Sequence, residues 1–444
     1  MDIVVQVGQL LLMLSILVIL HEFGHYIAAK MFKVRVEKFY LFMDAGFSLV
    51  KKKIGETEWG IGWLPLGGYV KLSGMIDESM DIDQMKSEPQ PWEFRSKPAW
   101  QRLIIMLGGI IVNLILAWLI YTVVYSTYGK KYASTDKIQE HGLVFGETGQ
   151  KVGFRDGDKI ISVDGKYQKR FDWMILDVLL GDSIVVQRNG QPVQVHLSDE
   201  DKKEILDKEG RDFIHPKSTV SRLDSIVKGS PAEKAGLRKG DSIVGMQGSA
   251  LRYNAQISEA IFKHRNGSVV FNVVRNGKPE SITVNVPEKI PIGISFGPTN
   301  KAIFQETEKY SVLGAMPKAV EESYSLLVYN IKQFKLILRP STGAYTHVNS
   351  VVGIAAKLPT EWDWEYFWKF TALFSIGLAF MNVLPIPGLD GGHAIFTIAE
   401  MITGRKLSDK AAGVVQTVGM VILLTIMALT FGKDIYQLVR ENFF

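Results

Sequence analysis

The chain has 444 residues, a formal net charge of +5 and no cysteine. Without cysteine it can form neither a disulfide, a thiolate zinc site nor a catalytic thiol, so any metal ligands must come from histidine, aspartate, glutamate or water. The small net charge and the lack of a long basic run interleaved with aromatic residues argue against nucleic acid as a partner.

Apolar residues are concentrated near the two ends of the chain, while the middle has the composition of a soluble protein. Four blocks reach the roughly 20 apolar residues that a bilayer core requires, at about 3–30, 103–127, 366–386 and 411–432. The first block lacks a basic start and a following small-residue cleavage site, so we expect a retained span. The sequence therefore predicts a multi-pass α-helical membrane protein with four spanning helices.

A charged motif, His21-Glu22-Phe23-Gly24-His25, lies near the end of the first block. Two histidines four residues apart share one helix face, so both imidazoles can bind one zinc ion. Glu22 would then lie beside the metal, where it can take a proton from the attacking water and later pass it to the leaving amine. This is the metalloprotease pattern H-E-x-x-H. The alternative is a polar cluster without metal, which would leave the cost of burying it in lipid unexplained.

Basic residues near the ends of the apolar blocks predict the orientation of the chain. They are Lys30, Lys33, Arg35 and Lys38 after the first block, Arg95, Lys97 and Arg102 before the second, and Arg405, Lys406 and Lys410 before the fourth. Loops rich in Lys and Arg stay in the cytoplasm. We therefore expect the long 129–360 segment on the opposite, outer side of the membrane.

The middle of the chain contains an internal repeat. Val152–Ile161 is echoed by Ala235–Val244, and Arg188-Asn189-Gly190 is echoed by Arg275-Asn276-Gly277. Asn-Gly pairs between alternating strands are typical of tight hairpin turns. The repeat predicts two similar small domains with substantial β content.

The second copy of the repeat resembles bacterial PDZ domains through Ser230–Leu237 followed by Gly240-Asp241. The first copy matches less closely, with Gln150–Phe154 in the equivalent place. This resemblance implies that the domains bind extended peptides, including peptide C-termini, by adding a strand to a sheet edge. The alternative is that each domain serves only as a spacer or lid.

Ser311–Arg339 follows the repeat and has apolar residues at near-helical spacing. The pattern fits a helix at the membrane surface, and it fits equally a soluble amphipathic helix that packs on the two repeats. An aromatic group typical of a membrane interface comes next and consists of Trp362, Trp364, Tyr366, Phe367 and Trp368.

A catalytic zinc site usually has three protein ligands, so a third is needed. Asp390 is the acidic residue that lies against a membrane block in a turn-rich context, with Pro385 and Pro387 before it and Gly391-Gly392 after it. The prolines end a helix and the glycines allow a close backbone approach. His393 is the rival ligand.

These motifs together resemble the site-2 proteases, the M50-type intramembrane zinc metalloproteases. The matching features are His21–His25, Leu64–Lys71, Gly109 and Asn113 in the second span, the PDZ-like pair, and Asn382 with Leu389–Gly392. They follow the family order over nearly the whole chain. The resemblance implies one zinc ion per chain, with His21, His25 and Asp390 as its ligands and Glu22 as the general base.

The resemblance also implies substrate contacts. Asn382 matches a substrate-contacting residue of the third span, and Gly67, Gly68 and Tyr69 belong to a segment, Thr57–Leu72, that corresponds to a β-hairpin dipping into the membrane. A substrate helix must be unwound before hydrolysis, and a sheet edge can supply replacement backbone hydrogen bonds. The alternative is a cytoplasmic hairpin that makes no substrate contact.

By the same resemblance we expect a protein of the bacterial cytoplasmic membrane, with its active site toward the cytoplasm. Its substrates would be single-span proteins already cut on the outer side, such as anti-sigma factors, or remnant signal peptides. Ile110 and Val351-Val352 depart from family Gly-Pro motifs and bear on helix packing and gating. The competing hypotheses are an inactive membrane-anchored PDZ scaffold and an ion transporter, although inverted repeats of the spans are missing.

The predicted domains follow from this organisation. They are an N-terminal membrane part (1–128), two PDZ-like domains (129–210 and 211–290), a linker with the surface helix (291–360) and a C-terminal membrane part (361–444). Because the PDZ-like pair interrupts the chain between the second span and the surface helix, we expect it to exclude substrates that keep a folded outer domain.

Overall fold

The computed structural model describes residues 2–65, 67–75, 88–210, 212–217, 222–251, 255–288, 291–296, 304–348, 350, 353–354, 358–406 and 408–443. The helices in these ranges are α1 (Asp2–Met31), α2 (Ala99–Tyr128), α3 (Thr135–His141), α4 (Glu147–Lys151), α5 (Phe171–Leu180), α6 (Asp199–Asp207), α7 (Pro231–Lys234), α8 (Ala255–Lys263), α9 (Val312–Ile337), α10 (Trp364–Val383), α11 (Asp390–Thr403) and α12 (Asp409–Phe443). Leu66 and Val351-Val352 lie outside the described residues.

The strands are numbered in the same way. They are β1 (Val36–Leu41), β2 (Met43–Ile54), β3 (Thr57–Leu64), β4 (Tyr69–Leu72), β5 (Lys130–Ala133), β6 (Leu143–Phe145), β7 (Lys159–Val163), β8 (Ile184–Arg188), β9 (Gln191–Val195), β10 (Ile214–Pro216), β11 (Leu223–Ile226), β12 (Ser242–Met246), β13 (Ser249–Ala250), β14 (Gly267–Arg275), β15 (Lys278–Val286), β16 (Ile294–Phe296) and β17 (Gln305–Glu308).

The chain divides into two compact units. The first unit, called here the helical unit, consists of Met1–Gly129, Lys309–Ile331 and Asn349–Leu438. The second, called here the repeat unit, consists of Lys130–Glu308, Lys332–Val348 and Val439–Phe444. Both predicted PDZ-like domains therefore lie within the repeat unit.

Among the described residues, three helices are long and apolar enough to cross a membrane. They are the segments Val4–Met31, Ala99–Tyr128 and Ala411–Asp434, which correspond to the first, second and fourth predicted spans. The third predicted span forms α10, a helix of 20 residues that carries Glu365, Lys369 and Asn382 and is not one of these three. Its role as a fourth span stays a prediction.

In the helical unit, α2 is the central element and packs against α1, α10 and α11. At the α1–α2 crossing the backbones meet at Gly24 and Gly108, where a Cβ added to Gly108 would lie 2.6 Å from the carbonyl oxygen of Gly24. Small residues at a crossing allow such close approach of two membrane helices. The glycine pair therefore allows α2 to pack closely against the end of α1 that carries the histidines.

A four-stranded sheet follows α1, with the strand order β2-β3-β1-β4. The predicted hairpin over Thr57–Leu72 is wrong in its pairing, because β3 and β4 are not neighbours: β1 lies between them, parallel to β3 and antiparallel to β4. The hairpin in this sheet is formed by β2 and β3 around the turn at Gly55. Sequence reasoning missed it because the strand partner of β4 precedes the motif.

The predicted helix over Ser311–Arg339 forms α9, which spans Val312–Ile337. Ala315 and Ala319 of α9 are fully buried against α2 and α10 within the helical unit. Trp118 of α2 donates a hydrogen bond from Nε1 to the carbonyl oxygen of Met316, 3.0 Å away. The first part of α9 is therefore a packed element of the helical unit.

The repeat unit shows the same supersecondary pattern twice. In the first copy, strands pair in the order β7-β8-β9 and β6 pairs with β10; in the second, they pair in the order β13-β12-β14-β15 and β11 pairs with β16. Each copy encloses its own apolar core, centred on Phe154 in the first and on Phe271 in the second. The internal repeat of the sequence is thus a repeat of structure.

Both predicted Asn-Gly turns are confirmed. Asn189 and Gly190 have φ values of 49° and 82°, and Asn276 and Gly277 have 51° and 78°. Two consecutive positive φ angles define the type I′ turn, whose twist matches that of the flanking strands. The turns join β8 to β9 and β14 to β15 in register.

Candidate metal centre

His21 and His25 lie on one face of α1, as the four-residue spacing predicts. Both are buried, with 7% and 6% of their surface exposed. Their Nε2 atoms are 3.4 Å apart. The two histidines therefore present the same nitrogen to a common point beside the helix.

Asp390 is brought to these histidines by the break between α10 and α11. The helix α10 ends at Val383, the chain turns through Pro385 and Pro387, and Asp390 is the first residue of α11. Its Oδ2 atom lies 3.3 Å from Nε2 of His21 and 3.2 Å from Nε2 of His25. The rival residue His393 lies one turn further along α11 and is not part of this grouping of described residues.

The three ligand atoms fit a zinc ion in their chemistry and spacing. Two imidazole nitrogens and one carboxylate oxygen are the donor set of many catalytic zinc sites. Atoms bound at about 2.0–2.1 Å in a tetrahedron lie about 3.3 Å from one another, and the observed separations are 3.2, 3.3 and 3.4 Å. Oδ2 of Asp390 is buried and makes no hydrogen bond with the described residues, as expected of an oxygen reserved for a metal.

The helix α2 contacts the second ring nitrogen, Nδ1, of both histidines. Nδ1 of His25 lies 2.8 Å from the carbonyl oxygen of Ile105, and Nδ1 of His21 lies 3.0 Å from the side-chain amide of Asn113. Gly109 stands midway between them, and a Cβ added there would lie 2.5 Å from Nε2 of His25. The spacing of four residues places Ile105, Gly109 and Asn113 on one face of α2.

Asn382, near the end of α10, also lies against the centre. It is buried, and its Nδ2 lies 3.1 Å from Nε2 of His21. The amide therefore borders the position that the three ligand atoms surround. This is the location that a group contacting a bound substrate would need.

Glu22 lies beside this centre but outside the three-residue grouping. Its carboxylate interacts with the backbone N–H of Val70 in β4. Gly68 fits between Val18 of α1 and the carbonyl oxygen of Tyr40 in β1. The start of β4 is therefore held directly against the part of α1 that carries Glu22.

The other residues of the predicted substrate segment are placed by the sheet. Gly67 has a φ of 154° and leads into β4. Tyr69 stacks on Tyr40 with ring centroids 5.2 Å apart and donates a hydrogen bond to Asp44, 2.9 Å away. These contacts anchor the beginning of β4 and leave its backbone next to Glu22.

Sequence patterns do not single out Ile105, although it orients a histidine. It contributes a backbone carbonyl, which every residue possesses, so no side-chain motif marks it. The only available signal is its position four residues before Gly109 on the face of α2 that meets α1.

Comparisons with known proteins cover nearly the whole chain. The model of the family described as "Peptidase family M50" matches residues 9–426, a range that includes all residues of the centre. A Neisseria meningitidis protein whose name assigns it to the zinc metalloproteases is 29% identical over 95% of this chain and 97% of its own length. The regulator of sigma E protease of Haemophilus influenzae is 27% identical over 97% of this chain and 98% of its own length. The Escherichia coli regulator of sigma-E protease RseP is 26% identical over 96% of this chain and 97% of its own length.

Proposed function

The chain belongs to peptidase family M50 and is a zinc metalloprotease, and we propose that it cleaves peptide bonds inside the transmembrane segments of single-span proteins. The observation that carries the proposal is the location of the centre. His21, Glu22 and His25 lie within Val4–Met31, a helix long and apolar enough to cross a membrane. A protease whose ligands lie on such a helix is suited to substrates that are themselves in the bilayer.

We assign His21, His25 and Asp390 as the zinc ligands and Glu22 as the general base. Bound zinc supplies a Lewis acid that activates water and polarises the substrate carbonyl. Glu22 accepts the proton of the attacking water and delivers it to the leaving amine. Asn382 donates a hydrogen bond to the oxygen on which negative charge develops.

The strand β4 is a suitable platform for an unwound substrate. It is the end strand of its sheet and pairs with β1 alone among the described strands. Its other edge is available for an extended peptide, and Glu22 lies at its start. A transmembrane helix loses its internal hydrogen bonds when it unwinds, and β-strand addition would replace some of them.

The repeats supply the proposed PDZ-like domains, within 129–210 and 211–290. Their duplicated topology supports this assignment, and the two edge strands β10 and β16 are the corresponding candidates for peptide binding. We further propose a location in the bacterial cytoplasmic membrane, with the repeats on the outer side and the centre toward the cytoplasm. Substrates in this location would include anti-sigma factors cut first on the outer side and remnant signal peptides.

Metal analysis combined with cleavage tests the proposed function. The purified protein should contain one zinc ion per chain and should cut a single-span model substrate within its apolar segment. Glu22→Gln should keep the zinc and reduce the rate by at least about 100-fold, because it removes only the proton acceptor. A protein that holds no zinc, or a Glu22→Gln variant with full activity, would contradict the assignment.

A further inference from the structure

The two zinc-binding histidines differ in how their second ring nitrogen is held. Nδ1 of His25 faces a carbonyl oxygen, that of Ile105, which can only accept a hydrogen bond. Nδ1 of His21 faces the side-chain amide of Asn113, with Nδ2 3.0 Å away. Asn113 is fully buried, and its Oδ1 has no hydrogen-bond partner among the described residues.

Two amide groups compete for His21. Nδ2 of Asn113 lies 3.0 Å from Nδ1, and Nδ2 of Asn382 lies 3.1 Å from Nε2. A neutral imidazole has one N–H and one lone pair, so it cannot accept hydrogen bonds at both nitrogens. One of the two asparagines must therefore present its oxygen to the ring.

The ring nitrogen that faces the metal decides which asparagine this is. Nε2 of His21 is the atom directed toward Asp390 and His25, so it must carry the lone pair. The proton then resides on Nδ1 and needs an acceptor. Rotating the Asn113 amide by 180° exchanges Oδ1 with Nδ2, moves no other heavy atom and places that acceptor at Nδ1.

We infer that Asn113 is a positioning residue that accepts the Nδ1–H of His21 through Oδ1 and thereby fixes the Nε2 lone pair toward the zinc. The inference rests on the proposed assignment of His21 as a ligand. It gives the two histidines equivalent support, because Ile105 and Asn113 lie two turns apart on the same face of α2. Second ring nitrogens of zinc-bound histidines generally donate to such acceptors.

A hydrogen bond from Ser375 of α10 to the backbone of Asn113 in α2 holds Asn113 in place. Ser375 donates a hydrogen bond from Oγ to the backbone carbonyl oxygen of Asn113, 2.7 Å away, and both residues are fully buried. Ser375 touches the backbone of Asn113 and makes no hydrogen bond with His21. It therefore offers a matched control that disturbs the same helix contact without changing the amide.

Zinc affinity of the full-length protein, measured by competition with a chelator, tests the inference. Asn113→Leu and the smaller Asn113→Ala should each weaken zinc binding by about 10–100-fold, since both remove the acceptor. Asn113→Asp has the same shape and accepts through either oxygen, so it should stay within a few-fold of the wild-type affinity. Ser375→Ala should also keep that affinity.

Cobalt substitution gives a second readout, because the visible spectrum of bound Co²⁺ reports the ligand geometry. We expect Asn113→Asp to keep the wild-type spectrum and Asn113→Ala to alter it. The inference is overturned if Asn113→Leu and Asn113→Ala bind zinc as tightly as wild type, or if Asn113→Asp loses as much affinity as they do. A wild-type protein without zinc would instead refute the metal assignment on which the inference depends.

Discussion

At the scale of single residues, the centre depends on how little space surrounds the three proposed ligands. His21 and His25 share one helix face because of their spacing, which is why the sequence could predict them together. Asp390 could be predicted only as one of two candidates, because the sequence does not show how a chain turns between two helices. The sequence resemblance marked Gly109 as part of a family motif. The structure shows why a glycine is needed there: the imidazoles of His21 and His25 leave no room for a Cβ.

The choice between Asp390 and His393 can be tested directly. Asp390→Ala removes an oxygen that lies 3.2 Å from Nε2 of His25, so zinc affinity should fall by more than the roughly 10–100-fold expected for an outer-shell residue. His393→Ala changes a residue on the same helix and should leave the zinc content near one per chain. Metal analysis of both purified variants checks this, and the reverse result would make His393 the ligand.

Gly109 gives a second residue-scale prediction. In Gly109→Ala the new Cβ would lie 2.5 Å from Nε2 of His25 and 2.6 Å from Cε1 of His21. The rings must move apart, so we expect at least a 10-fold loss of zinc affinity and a destabilisation of about 1–3 kcal/mol. Gly377→Ala is the matched control in α10, where nothing lies within 4 Å of an added Cβ.

The control variant Gly377→Ala should not lower the stability of the protein. Alanine is favoured over glycine in a helix interior by up to about 1 kcal/mol, so Gly377→Ala should unfold at the same temperature as wild type or at a slightly higher one. Equal zinc affinity for the two alanine variants would show that the space beside the histidines is not restrictive.

At the scale of elements, each of the two repeats contains an equivalent Arg–Asp ion pair. Arg188 binds Asp158 in the first copy and Arg275 binds Asp241 in the second, each with a shortest contact of 2.7 Å. Both aspartates are buried, and each arginine also donates to a backbone carbonyl oxygen of its own copy. The sequence repeat predicted the turns because their residues are adjacent, but it did not predict these pairs, whose partners are 30 and 34 residues apart.

The second pair makes the stability of its repeat depend on pH. Burial raises the pKa of the Asp241 carboxyl, but the hydrogen bonds from Arg275 and the Arg238 backbone, together with the positive charges of both arginines, outweigh burial, so the net pKa lies below its usual range. A carboxyl with a lowered folded-state pKa contributes stability above its unfolded value of about 3.9, and this contribution is lost as the pH falls further. The protection of β12 and β14 amides, measured as hydrogen exchange relative to the intrinsic rate at the same pH, should therefore fall below about pH 4.

Removing the carboxylate should have a similar effect at neutral pH. Asp241→Ala leaves Arg275 without its buried partner, and we expect a loss of roughly 3 kcal/mol. Asp224→Ala removes an exposed ion pair with Lys239 in the same repeat and should cost less than about 1 kcal/mol. Thermal unfolding of the two variants at pH 7 compares them, and equal losses would contradict the role given to Asp241.

At the scale of the whole molecule, chain order and compact units do not coincide. Three of the four predicted spans could be located from hydropathy, the candidate metal-binding histidines from spacing, and the repeat from self-similarity. The sequence could not predict that residues 309–331 group with the two ends of the chain in one compact unit. This grouping depends on the packing of Ala315 and Ala319 against α2, and a helical pattern does not reveal the partner on which its apolar face is buried.

The longest segment of the repeat unit, Lys130–Glu308, begins and ends on one pair of strands. The chain leaves α2 at Tyr128, enters β5 at Lys130 and returns through β17 to Glu308 shortly before α9 begins. Lys130 and Glu308 are opposite each other in the β5–β17 ladder, and Cα atoms of such pairs are about 5 Å apart. A short glycine linker can therefore replace residues 131–307 without stretching either end.

This deletion tests whether the repeats select substrates by size. If the repeats exclude bulky outer domains, the deleted enzyme should cut an untrimmed single-span substrate that the full-length enzyme leaves intact. Both enzymes should cut the trimmed substrate, and Glu22→Gln in the deleted form should cut neither. A deleted enzyme that still cuts only the trimmed substrate would show that the repeats do not act as a size filter.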